Sequence, residues 1–193
     1  MGGITKALLE VGGRRIIDRA AATLRSLFTD IVLITNSPEE FEFLGIPMFK
    51  DKVPGGGSLG GLYTGLSVCK GDYGFLVACD MPFLLPDPIR HMVNLIDDHD
   101  VVIPRVQGHF EPLHAIYSRR CIPVIEELLV QGNLKIIDFL DKVVVFEIPE
   151  KDLRCFDPSL RFILNLNTPE DLEKARQTAR EFDRTYSNSS LVE

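Results

Sequence analysis

No apolar run in this chain of 193 residues approaches the roughly 20 residues that a membrane-spanning helix needs. The start, MGGITKALLEVGGRR, lacks the apolar core of a secretory signal. It superficially fits a myristoylation start, but the α/β enzyme pattern found further on argues against that reading. Basic residues are outnumbered, 21 Lys and Arg against 28 Asp and Glu, for a net charge of −7, and no basic stripe is visible. That balance argues against nucleic acid as a partner. A small anionic substrate stays compatible with it, because one metal ion and one lysine can invert the charge locally. The four cysteines, Cys69, Cys79, Cys121 and Cys155, form no CxxC pair, which argues against a zinc or dithiol redox site and fits reduced thiols in a cytoplasmic protein. His91, His99, His109 and His114 show no metal-ligand spacing. His109 and His114 flank Glu111 and Pro112, either as substrate contacts or as solvated or core histidines. There is no Walker loop and no Gly-x-Ser-x-Gly nucleophile elbow.

What is present is an ordinary globular composition, 45% hydrophobic and 25% charged, long enough for one domain with one core. The expected domain is residues 1–185, followed by a polar tail over 186–193. Short apolar runs at 31–35, 73–79, 101–104, 113–117, 143–148 and 162–166 read as strands. They are continuous rather than alternating, as in strands covered on both faces. Stretches with helical periodicity lie between and around them, at 15–28, 59–69, 86–96, 119–130 and 169–183. Thr168 before Pro169, Glu170 and Asp171 is a strong helix start. This alternation predicts an α/β fold of three layers, αβα, around a mostly parallel Rossmann-like sheet. In such sheets ligands bind beyond the carboxyl ends of the strands, so the residues that follow strands carry the search.

Asp80 directly follows the run YGFLVAC and precedes Met81 and Pro82. A carboxylate there suits magnesium, which takes one or two protein carboxylates plus substrate phosphates; it equally suits a turn aspartate bonded to backbone amides. Asp51 precedes the loop 52–58 (KVPGGGS), whose glycines permit close approach of a ligand or simply make a turn, and whose Ser58 can cap the next helix. Lys6 lies between a glycine pair and an apolar run, facing either a cleft or solvent. Asn165 and Asn167 share one face if 162–166 is a strand, and either hold a metal or phosphate or bond locally around the helix cap.

Together these pieces resemble the molybdenum cofactor guanylyltransferases, the MobA family of GT-A-like nucleotidyltransferases, over almost the whole chain. MGGITK resembles the end of that family's Leu-Ala-Gly-Gly…Arg-Met-Gly…Lys signature, CDMPF (79–83) its metal-binding turn, GSLGG (57–61) its Gly-Pro-Leu-Ala-Gly loop and NLNTPE (165–170) its closing motif. The resemblance implies transfer of GMP from GTP to a molybdopterin-type phosphate with release of pyrophosphate. It implies that Lys6 and Asp80 act catalytically, that Lys6, Asp51, Asp80 and Asn167 bind the nucleotide complex, and that Asp80 holds Mg2+. The partners implied are GTP, a molybdopterin-type substrate, and molybdoenzymes or cofactor-delivery proteins. Ile34 stands where some members have a guanine-binding asparagine, with Asn36 two residues on. Cytidylyl transfer, transfer to a sugar phosphate, nucleotide binding without catalysis and an interaction module therefore stay open as alternatives. The chain also begins inside the signature. The expectation is a sheet missing its first strand, between 31–35 and 73–79, with Met1 as the internal methionine of Arg-Met-Gly and a chain that is poorly stable and nearly inactive as written.

Overall fold

The computed structural model describes residues 5–186; residues 1–4, which hold the start of the signature-like segment, and 187–193 of the expected tail lie outside the described residues. In chain order the elements are β1 (Glu10–Val11), β2 (Arg14–Arg15), α1 (Ile16–Arg25), β3 (Leu33–Ile34), β4 (Met48–Phe49), α2 (Gly57–Val68), β5 (Tyr73–Val77), α3 (Pro86–Asn94), β6 (Val101–Val106), β7 (His109–Phe110), β8 (His114–Ser118), α4 (Ile122–Val130), β9 (Val145–Pro149), α5 (Glu150–Leu153) and α6 (Pro169–Tyr186). Short 3₁₀ turns fill several connections, among them Lys6–Leu8 and Arg161–Ile163. No helix among the described residues is long and apolar enough to cross a membrane.

The α/β fold class and the layering hold. Alternate residues of the central strands feed two separate cores. Val102, Ile116 and Ile148 face one core, with Ile16 and Ala20 of α1, Met92 of α3 and Leu172, Ala175, Ala179 and Phe182 of α6. Val101, Ile103, Ala115 and Tyr117 face the other, with Leu59, Leu62 and Leu66 of α2 and Ile125 and Leu128 of α4. The period of 2 in the strands and near 3.6 in the helices produces this sorting. α6 starts as the sequence indicates. The Thr168 hydroxyl accepts the Asp171 amide at 3.1 Å, while Asp171 Oδ2 accepts the amides of Thr168 at 2.9 Å and Asn167 at 3.1 Å, a reciprocal cap.

The expected mostly parallel sheet is corrected to a mixed one. Among the described residues the main sheet has five strands in the order β5-β8-β6-β7, with β9 on β6, and only its β6–β9 ladder is parallel. A two-residue turn at Gln107 and Gly108, both left-handed, reverses the chain between β6 and β7. The link from β7 to β8 spans only residues 111–113, too short for a parallel crossover, and β8 inserts antiparallel between β5 and β6.

The expected strand at 162–166 is absent. Arg161–Ile163 forms a 3₁₀ turn after Leu160, whose φ of +52° breaks an extended path, and only the Leu166 amide bonds back, to the Asp80 carbonyl at 3.2 Å. β3 and β4 make a separate two-stranded parallel sheet. Among the described residues no ladder joins β3 to β5, as anticipated for those two segments. All five β5 residues are only half-buried, whereas every residue of β8 is buried.

Candidate active site

The turn after β5 gathers three of the four expected residues. Asp80 stands just beyond the carboxyl end of β5. Lys6, in the first 3₁₀ turn, brings its Nζ to 3.9 Å from Asp80 Oδ2 and donates to the Asn167 carbonyl at 3.4 Å. The Leu166–Asp80 backbone bond fixes the segment 165–167 beside the turn. Asn167 thus contributes its carbonyl to Lys6 and its amide to the α6 cap. Asn165 differs: its Oδ1 is buried and has no hydrogen-bond partner among the described residues. Burial pushes the Asp80 carboxyl above its ordinary value, against the opposing pull of Lys6 and a backbone hydrogen bond.

The turn is anchored from behind by Arg19 of α1, which the sequence did not single out. Its Nε donates to the Pro82 carbonyl at 2.7 Å, and its guanidinium makes a two-pronged pair with Asp183 of α6. Met81 and Phe83 are buried in the core beneath.

Asp51 stands apart, beyond the carboxyl end of β4, and no bond among the described residues links it to Lys6, Asp80 or Asn167. Asn36 Oδ1 accepts its amide at 3.2 Å, and Asp51 Oδ1 accepts the Val53 amide and the Thr64 hydroxyl, each at 3.0 Å. Of the loop glycines, Gly56, like Gly60 of α2, serves close approach within the protein, while Gly55 and Gly57 face open space at positive φ. A Cβ at Gly60 would sit 3.0 Å from Asp51 Oδ2, and one at Gly56 would sit 2.9 Å from both the Gly60 Cα and the Val53 carbonyl. Ser58 does not cap α2: the helix begins at Gly57 and has no side-chain cap, because Ser58 already lies within the first turn. Thr64 was legible only as a lone hydroxyl among the buried apolar positions Leu59, Leu62 and Leu66.

On the far side of β5, Glu111 and His114 mark the return from β7 to β8. Burial raises the Glu111 carboxyl, partly offset by His109. His114 resolves to the core alternative, fully buried against the rings of Phe75 and Phe162.

Among the described residues no group of three or more His, Cys, Asp or Glu side chains could hold a metal ion. A cation at this turn would therefore rest on Asp80 and on oxygens of its own ligand. That fits magnesium, which keeps few protein ligands, and the unpartnered Asn165 Oδ1 is a further hard oxygen in the adjoining segment.

Comparison with known proteins identifies the family and the fold. The sequence profile of the MobA-like NTP transferase domain matches residues 1–143. A molybdenum cofactor guanylyltransferase of Desulfosudis oleivorans is 41% identical over 175 residues, 90% of this chain and 87% of that protein. A probable molybdenum cofactor guanylyltransferase of Natranaerobius thermophilus is 35% identical over 181 residues, 91% of this chain and 88% of the relative. Among solved structures, molybdopterin-guanine dinucleotide biosynthesis protein A of Archaeoglobus fulgidus superposes with a TM-score of 0.77 at 26% identity, covering 93% of this chain and 92% of that one. A 2-C-methyl-D-erythritol 4-phosphate cytidylyltransferase of Thermus thermophilus shares the fold, with a TM-score of 0.67 at 14% identity. With sequence and fold agreeing over nearly the whole chain, the protein belongs to the MobA-like NTP transferase domain family.

Proposed function

We propose that this chain is a guanylyltransferase that transfers GMP from GTP to a molybdopterin-type phosphate. An acceptor phosphate oxygen attacks the α-phosphorus in line, the bond from that phosphorus to the bridging oxygen breaks, and pyrophosphate leaves. The observation that carries the reading is the meeting of Lys6, Asp80 and the 165–167 segment at the carboxyl end of β5, in a chain whose relatives bear this enzyme's name. Such a reaction needs no protein nucleophile; positioning and charge neutralisation suffice. Lys6 offsets charge on the departing pyrophosphate, Asp51 contacts the nucleoside, and Asn167 helps to hold the phosphates. Asp80, with Asn165 as a neighbouring oxygen, is the proposed holder of Mg2+, and a bound Mg2+ would neutralise the triphosphate charge. The proposal places the protein in the cytoplasm, in keeping with four cysteines that form no disulfide. It would there hand its product to molybdoenzymes or cofactor-delivery proteins.

Asp80→Asn tests the reading. It keeps the size of the side chain and removes its charge, so turnover should drop at least about 100-fold in a pyrophosphate-release assay, with circular dichroism unchanged. Activity within a few-fold of wild type would remove Asp80 from the catalytic group. Thermal shifts with the four nucleoside triphosphates in magnesium buffer test the base: GTP should give the largest, and a larger shift with CTP would reassign the chain to cytidylyl transfer.

A further inference from the structure

The Asp51 carboxylate is held through one oxygen only. Thr64 is fully buried within α2, and its hydroxyl lies 3.0 Å from the Lys52 amide nitrogen and 3.0 Å from Asp51 Oδ1. An amide can only donate, so the Lys52 N–H occupies the hydroxyl as acceptor and the single hydroxyl proton goes to Asp51. The Val53 amide gives Oδ1 its second bond at 3.0 Å, and Asn36 takes the Asp51 amide. Oδ2, which lies over Gly60, accepts no bond from any described residue. Substitution of any side chain at Gly60 would crowd that oxygen.

A helical threonine usually turns its hydroxyl back to the carbonyl four residues earlier. Thr64 instead reaches out of its helix to the loop that carries Asp51. A buried hydroxyl costs free energy unless it is bonded, and both bonds of this one serve residues 51 and 52. We propose that Thr64 is a positioning residue for nucleoside recognition: its hydroxyl locks the Asp51 carboxylate in one rotamer, with Oδ2 presented to donor groups of the nucleoside. This rests on the reading of Asp51 as a nucleoside contact. Candidate donors are the ribose hydroxyls and the N–H edge of a purine. An acceptor already fixed before binding loses less rotational freedom when the ligand arrives, which is the source of the affinity.

The test compares Thr64→Val, Thr64→Ser, Asp51→Asn and the double variant Asp51→Asn/Thr64→Val, by GTP titration and pyrophosphate release. Asp51→Asn is informative because the Val53 and Thr64 donors hold the amide oxygen at the Oδ1 position, which turns the Oδ2 position from acceptor to donor. Thr64→Val, nearly isosteric, should weaken GTP binding and raise KM about tenfold while kcat stays within about threefold. Thr64→Ser should restore wild-type affinity. In the Asp51→Asn background, Thr64→Val should add no further loss of affinity, because the group it aims at the Oδ2 position is then an NH2 donor and no longer an acceptor. If Thr64→Val does not melt cooperatively, Thr64→Ala carries the same comparison with no second methyl pressed against the loop. Wild-type affinity in Asp51→Asn would overturn the nucleoside reading and this inference with it. Weak binding by Asp51→Asn, combined with wild-type binding by Thr64→Val or with equal losses from Thr64→Val in both backgrounds, would overturn the inference alone and leave Thr64 as a staple of the loop.

Discussion

His114 is an imidazole with nowhere to put a proton. Both ring nitrogens are buried without a hydrogen-bond partner among the described residues, and burial pulls its pKa from 6.5 down to about 3. The folded value lies below the unfolded one, so between those limits the unfolded chain binds more protons. This residue therefore takes nothing from stability above about pH 6.5 and costs progressively more as pH falls toward 3, with a slope approaching about 1.4 kcal/mol per pH unit. His114→Leu should flatten the acid limb of stability by that slope, measured as the wild-type minus variant difference in urea melts from pH 4 to 8. Parallel limbs would mean that the ring is already protonated or solvated in the fold. Asp157 is the opposite case. Burial alone would raise its carboxyl, but the Arg161 guanidinium and the amides of Ser159 and Arg161 hold it below the ordinary range. Its stabilisation is present above the ordinary carboxylate pKa of 3.8 and is lost as pH falls through the lower folded value. Asp157→Ala strips Arg161 of its buried partner and should cost about 3 kcal/mol in chemical denaturation.

Between elements, Arg19 ties down the turn after β5. One side chain joins α1 to the Pro82 carbonyl and to Asp183 of α6, with only 10% of its surface exposed. Arg19→Met keeps most of the stem and loses the fork, so it should lower stability by about 2 kcal/mol. Arg19→Lys should recover little of it, since an ammonium cannot span both partners with the geometry of a guanidinium. Denaturant midpoints of the two variants decide the matter: full recovery by lysine would reduce the tie to a simple charge. Nothing in the sequence pointed to Arg19, because its partners lie 63 and 164 residues away. The same holds for Thr64, which reaches across from its helix to a loop. The elements themselves were legible, since the apolar spacing of α1 and α6 and the β-branched runs of the central strands are local signals. Strand direction is not such a signal, so the expectation of a mostly parallel sheet misses the antiparallel pairing of β8, although the Gln107-Gly108 turn and the three-residue return mark the reversals. The run 162–166 carried a strand's composition, but the left-handed Leu160 turns it aside.

At the scale of the molecule, the proposed site stretches from the end of β4, where Asp51 stands, to the end of β5, where Asp80 stands, and these strands belong to different sheets. Among the described residues β5 is an edge of the larger one. The Ala78 amide bonds to the Leu113 carbonyl and the Arg119 amide to the Asp72 carbonyl, so the even-numbered backbone groups of this segment face β8. The amides of Gly74 and Leu76 then point into the ladder, and those of Tyr73, Phe75 and Val77 point outward. Placed in deuterated water, the strand should label in alternation. Phe75 and Val77 should exchange early, through local fluctuation, and Gly74 and Leu76 should hold their protons until the sheet itself opens. Residue-resolved exchange by NMR reads this directly, and uniform slow labelling from Tyr73 to Val77 would mean that the outer edge of β5 is covered in solution.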